Sequence, residues 1–186
     1  MKEVKRGKFA MKEVILVTGG CRSGKSRFAL DYVNKHFKNK VFVATAEALD
    51  DEMKRRIQRH QEERGPDWKT IEEPITLSEM LASLEEDCQV ALIDCLTLWI
   101  TNLLMAGTTE DDIFARVNDL ADMIRKIPQS VVVVTNEVGS GIVPENRMAR
   151  VFRDLVGAIN QKMAACADSV VFTVAGLPQV IKGKLR

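Results

Sequence analysis

The chain has 186 residues, 46% of them hydrophobic and 28% charged, and 27 Lys and Arg against 26 Asp and Glu leave a formal net charge of +1. That balance suits one soluble globular domain with a proper core and argues against nucleic acid as a partner, since neither bulk charge nor a basic stripe is present. No apolar run reaches membrane-spanning length and no secretory segment is visible, so no membrane insertion and a cytoplasmic location are expected.

The four cysteines, Cys21, Cys88, Cys95 and Cys166, lack C-x-x-C spacing. They are expected as reduced thiols, with no zinc site. Residues 1–10, MKEVKRGKFA, are polar and Lys-rich and precede a second MKEV at Met11. They are expected to be a leader or alternative start, with a single domain over 11–186.

The stretch from Ile15 to Ser26, ILVTGGCRSGKS, joins a β-branched apolar run to a Gly-rich turn and fits G-x-x-x-x-G-K-[ST] at Gly19, Gly24, Lys25 and Ser26. Gly19, Gly20 and Gly24 let backbone N–H groups turn inward around an anion, and the helix expected from about Gly24 adds its own free amides. Lys25 brings positive charge to the β- and γ-phosphates, and the Ser26 hydroxyl is suited to ligate Mg²⁺ beside them. Cys21, Arg22 and Ser23 complete the cradle. His36, near the end of the helix and beside Lys35, is expected to be exposed.

Residues 39–46, NKVFVATA, read as a second buried strand. A helix follows until Gly65 and Pro66 stop it. Leu49, Met53 and Ile57 recur at helical spacing, and His60 and Arg64 continue that inward stripe. Asp50, Asp51 and Glu52 fall at the helix start, where the dipole favours negative charge; capping is the better account of them than a metal cluster. WKTIEEP is a short extended piece and ITLSEMLASLEE a helix. QVALID then forms a strand ending at Asp94, with a helix over LTLWITNLLMA. A carboxylate at that edge, facing a P-loop, is where a Mg²⁺ ligand belongs; the other reading is a strand-end aspartate capping the next helix through Thr97.

The segment DDIFARVNDLADMIRKIP is amphipathic, and SVVVVTNE reads as a strand ending in Asn136 and Glu137 before a loop with Gly139, Gly141 and Pro144. That loop either closes over a substrate or merely connects. A helix from about Glu145 to Ala167 carries Arg147, Arg150 and Arg153, as a solvated face or as a phosphate clamp, with the solvated face preferred. A last strand over ADSVVFTV leads into a short extended tail. Strands alternating with helices, without a linker, give an α/β fold with a mainly parallel sheet.

A P-loop implies a nucleoside triphosphate but not which bond breaks. An inward histidine beside an arginine, aimed at a phosphate cradle, is either a satisfied core residue or a nucleophile at phosphorus, and the residues alone leave these even. GGCRSGKS at Gly19 to Ser26, VATAEALDDEM at Val43 to Met53, RIQRH at Arg56 to His60 and TNEVGSGIVPENR at Thr135 to Arg147 together resemble the bifunctional adenosylcobinamide kinase and adenosylcobinamide-phosphate guanylyltransferase family. The likeness runs from about Met11 to the C-terminus and departs only in the prefix.

The resemblance implies a RecA-like P-loop fold, a homotrimer, and two reactions. ATP or GTP phosphorylates adenosylcobinamide, and GMP then passes from GTP to that phosphate through a guanylylated His60, yielding adenosylcobinamide-GDP. It further implies nucleotide contacts from the P-loop, from Thr45, Ala46 and Glu47, from Gln61, Glu62, Glu63 and Arg64, and from Glu72 and Asp94. Mg²⁺ falls to Ser26 and Asp94, and catalysis to His60 with Lys25. Glu72 suits guanine chemically, because a carboxylate accepts from N1–H and the 2-amino group together. Two other functions compete: a monofunctional P-loop kinase of a small metabolite, and a nucleotide-switched binding module.

Overall fold

A computed structural model describes residues 12–47, 55, 64, 65 and 67–186. The prefix 1–10, the expected helical stripe of Leu49, Met53 and Ile57, the acids 50–52, and His60 with Gln61, Glu62 and Glu63 lie outside the described residues.

Within them, seven strands form one sheet in the order β3-β2-β4-β5-β1-β6-β7. The strands are β1 (Val14–Gly19), β2 (Lys40–Ala44), β3 (Lys69–Glu72), β4 (Val90–Asp94), β5 (Ser130–Val134), β6 (Ser169–Val174) and β7 (Leu177–Lys182). All neighbours are parallel except β6 and β7. The central strands are near-continuous apolar runs because both of their faces are covered, as a parallel sheet requires. All five residues of β5, SVVVV, are buried.

Helix α1 (Lys25–His36) covers one face, burying Ala29, Leu30 and Val33 against Ile15, Val17, Leu92, Val132 and Val134. Helices α2 (Leu77–Ala82), α3 (Leu96–Met105), α4 (Glu110–Lys126) and α5 (Arg147–Cys166) cover the other. Trp99, Ile113, Leu120 and Ile159, each no more than 1% exposed, anchor that second core. Thr109 caps α4 by accepting from the Asp112 N–H, and three acids fill the helix's first turn.

Three expectations need correction. The third apolar strand stops at Val134, so Asn136 and Glu137 stand in the loop beyond it. The C-terminal tail is strand β7, antiparallel to β6 across a tight turn in which Ala175 and Gly176 take φ 51° and 81°. His36 is half-buried rather than exposed, with its ring 4.6 Å from that of Tyr32.

Candidate active site

The parallel register lines up the carboxyl ends of the strands, and the motif residues stand on that edge. Glu72, Ala44, Asp94 and Val134 form one row across β3, β2, β4 and β5. Val134 pairs with Val17, two residues before Gly19. One strand, β5, therefore separates the P-loop strand from the strand that ends in Asp94. Glu72 stands two strands beyond Asp94, roughly 10 Å away at ordinary strand spacing.

The phosphate loop is built by close backbone approach. Gly24 precedes α1 at φ 97°, a left-handed conformation that side chains resist. A Cβ on Gly19 would lie 2.4 Å from the Thr173 carbonyl oxygen, so β6 itself demands glycine there. Behind the loop the Ser23 and Thr173 hydroxyls meet at 2.7 Å, and the Gly176 N–H donates to the Ser23 carbonyl at 2.9 Å. Lys25, only 7% exposed, donates to the Gly20 carbonyl at 2.6 Å, folded across the cradle. Gly20 and Ser26 are half-buried, while Cys21 and Arg22 face solvent.

Asp94 gathers positive charge. Arg64 is buried, with its guanidinium 3.7 Å from the centre of the Phe42 ring. Burial lowers its pKa from the ordinary value, and the Asp94 carboxylate works against that shift. The next residue, Cys95, has its thiol pushed up to about 12 by burial and then by the Asp94 charge, with Lys25 acting oppositely. Lys25, Arg64 and Asp94 thus share one electrostatic neighbourhood. The Ser26 hydroxyl and the Asp94 carboxylate are hard oxygen donors, the type Mg²⁺ takes. Among the described residues no group of three or more His, Cys, Asp or Glu gathers to hold a metal. The Ser26 and Asp94 oxygens suit Mg²⁺ that arrives with a nucleotide, whose phosphates supply further oxygens.

Thr45 stands apart from the exposed edge. It is fully buried, and its hydroxyl is engaged on both sides by Cys95, accepting from the N–H and donating to the carbonyl, each at 2.8 Å. Ala46 is half-buried, and Glu47 and Glu72 are exposed at the rim. Thr97 does not tie Asp94 to α3: its hydroxyl meets Thr135 at 3.2 Å and accepts from the Asn136 N–H at 2.8 Å.

The loop after β5 is held from two sides. Asn160 on α5 accepts from the Thr135 hydroxyl at 2.7 Å and donates to the Asn136 carbonyl at 3.0 Å. Glu137 folds back to accept from the Gly139 and Ser140 N–H groups. Arg153 donates to the Gly139 carbonyl, and Arg150 to the carbonyls of Pro144 and Glu145. Arg150 and Arg153 are half-buried and brace the loop through its carbonyls, whereas Arg147 keeps the expected solvated face. Sequence reasoning missed Asn102 and Asn160. The available signal was a polar residue on an apolar helical face, as at Asn160 between Val156, Ile159 and Met163.

A family model described as cobinamide kinase / cobinamide phosphate guanyltransferase matches residues 15–181. The chain is 40% identical over 181 residues to the bifunctional adenosylcobalamin biosynthesis protein CobU of Escherichia coli (strain K12), covering 91% of this chain and 99% of that protein. It is 41% identical over 181 residues to the protein of the same name from Salmonella typhimurium, with the same coverage. A protein named CobP from Pseudomonas aeruginosa is 39% identical over 169 residues, covering 91% of this chain and 97% of that protein. Among solved structures, the RadB recombinase superposes with a TM-score of 0.51 at 15% identity, over 89% of this chain and 76% of that one. A protein of Pyrococcus horikoshii OT3 superposes with a TM-score of 0.56 at 12% identity, over 95% of this chain and 89% of that one. The expected RecA-like α/β fold is the fold observed.

Proposed function

The chain belongs to the cobinamide kinase / cobinamide phosphate guanyltransferase family and is a transferase, and from that premise we propose that it performs both steps on adenosylcobinamide. In the first, the aminopropanol hydroxyl oxygen attacks the γ-phosphorus of ATP or GTP, and the nucleoside diphosphate leaves as the hydroxyl proton is lost. In the second, a neutral His60 imidazole nitrogen attacks the α-phosphorus of GTP and pyrophosphate departs. An oxygen of adenosylcobinamide phosphate then breaks the N–P bond, giving adenosylcobinamide-GDP and restoring the histidine.

The observation that carries this reading is the shared edge of Lys25, Ser26 and Asp94, in a chain that matches the two-activity family over residues 15–181. Lys25, freed from the Gly20 carbonyl, moves onto the β- and γ-phosphates. Ser26 and Asp94 are the residues that would hold Mg²⁺, which supplies charge neutralisation on the phosphates. Arg64 balances Asp94, residues 61–64 are assigned to nucleotide contact by the family likeness, and Ala46 and Glu47 line the rim. Glu72, exposed at the end of β3, accepts from the guanine N1–H and 2-amino group. Thr45 contributes by holding Cys95.

The reading includes a homotrimer; the apolar side chains that β7 leaves exposed, among them Leu177 at 73% and Ile181 at 59%, are surface that association of copies would cover. It also includes the cytoplasm, supported by four free cysteines. Among the described residues no helix is long and apolar enough to cross a membrane.

The test is product analysis. Purified protein is incubated with adenosylcobinamide, ATP, GTP and Mg²⁺, and the corrinoids are separated by chromatography. The expected course is adenosylcobinamide phosphate, then adenosylcobinamide-GDP with pyrophosphate. Arrest at the phosphate would favour the monofunctional kinase, and an unchanged corrinoid with nucleotide-dependent partner binding would favour the switch module.

A further inference from the structure

The ends of three strands are joined through one helix side chain. Asn102, 8% exposed on α3, donates through Nδ2 to the Thr45 carbonyl at 2.7 Å and to the Pro74 carbonyl at 3.2 Å. Thr45 follows β2 and passes the connection to the end of β4, through its hydroxyl to Cys95 and through its N–H to the Asp94 carbonyl at 3.3 Å. Pro74 follows β3, and beside it the Glu73 N–H donates to the Ala44 carbonyl at 2.9 Å. Three residues earlier on α3, Trp99 Nε1 donates to the Ile75 carbonyl at 2.8 Å.

The chemistry of this junction calls for an amide. A carboxamide NH₂ carries two donors, and two backbone carbonyls from different strands accept from it, away from competing water. Asparagine is also a poorer helix former than the apolar residues around it, so its contribution lies in the cross-link. The junction sits directly beyond two carboxylates: Glu72 precedes Glu73 and Pro74, and Asp94 precedes Cys95.

We propose that Asn102 is a positioning residue that sets Glu72 against Asp94, and thereby sets the preference of the nucleotide site for guanine over adenine. The inference rests on the reading of Glu72 as the base contact and of Asp94 as the metal-side carboxylate. A slackened junction lets β3 drift at the sheet edge, so the base carboxylate loses its register with a nucleotide anchored at the P-loop. Adenine, which offers no N1–H and 2-amino pair to Glu72, has less to lose.

The test is isothermal titration of GTP and ATP into the full chain, as wild type, Asn102→Ala, Glu72→Ala and the double variant. Asn102→Ala is expected to lower the GTP-to-ATP affinity ratio by about tenfold, with ATP affinity held within about twofold. Added to Glu72→Ala, it should change the ratio no further, since it acts through that residue. If Glu72→Ala lowers the ratio but Asn102→Ala weakens both nucleotides equally, or lowers the ratio further in the double variant, the base-contact reading stands and this inference is overturned. A Glu72→Ala ratio equal to wild type overturns both. Asn102→Ser retains one hydroxyl donor and serves if the alanine variant does not fold: an intermediate ratio supports the inference, and a wild-type ratio overturns it.

Discussion

The hydroxyls of Ser23 and Thr173 meet at 2.7 Å in a buried contact behind the phosphate loop, 150 residues apart in the chain. This bond fixes the back of the P-loop to β6, so the loop's shape depends on the far end of the chain. Thr173→Val keeps the shape of the side chain but strands the Ser23 hydroxyl. The expected cost is about 1–3 kcal/mol of stability, with weaker nucleotide binding. Thr173→Ser should restore both. Chemical denaturation and GTP titration check the pair, and a valine variant indistinguishable from wild type in both would contradict it.

Gly24 is required twice over, by φ 97° and by crowding, because its added Cβ would stand 3.0 Å from the Gly176 Cα. The neighbour is backbone and cannot rotate away. Gly24→Ala is expected to lose roughly 1–3 kcal/mol of stability and most nucleotide affinity. Thermal melts alongside calorimetric GTP titration read both, and retention of either at the wild-type level would count against the account.

Glu73 supplies a pH dependence whose sign is fixed. Burial raises its pKa, but the Thr76 and Ile75 N–H groups, donating at 2.6 and 2.9 Å, together outweigh burial and hold it below 4.5. A carboxyl with a lower pKa folded than unfolded stabilises above the unfolded value, and the benefit is lost as pH falls through the folded one. Wild type should exceed Glu73→Gln in stability at neutral pH, because an ionised carboxylate accepts the two N–H groups more strongly than a neutral amide oxygen does. That gap should close as pH drops below 4.5. Denaturation midpoints across this range decide the matter, and a gap independent of pH would refute the role.

What could be read from the sequence followed the range of the interactions involved. The P-loop, Asp94 at a strand end and the parallel α/β layering were legible because each has a local signature: a motif, an apolar run, a helical period. Strand β7 was not, since all six of its residues are exposed and Pro178 interrupts any alternation. The Asn102 junction joins residues 57 and 28 positions away, and no local pattern encodes such a bond. Arg150 and Arg153 illustrate the same limit. Their helical spacing was visible, but their partners are carbonyls of a preceding loop.

Cys21 offers a report on occupancy of the cradle. It is exposed within the P-loop, whereas Cys88 and Cys95 are buried and Cys166 is half-buried, its thiol donating to the Ala121 carbonyl. With its pKa near 12, Cys95 holds almost no thiolate at neutral pH. Maleimide should therefore label Cys21 first, and GTP with Mg²⁺ should slow that labelling by about tenfold. Peptide mapping with and without nucleotide reads the effect. Labelling at an unchanged rate under saturating GTP would argue that the triphosphate lies elsewhere.

The covalent role of His60 is tested by incubation with Mg²⁺ and GTP labelled at the α-phosphate, comparing wild type with His60→Ala after denaturing electrophoresis. The expected result is acid-labile, alkali-stable label on wild type alone, the behaviour of a phosphoramidate at His60. Absence of label from both proteins, while both still phosphorylate adenosylcobinamide, would contradict it.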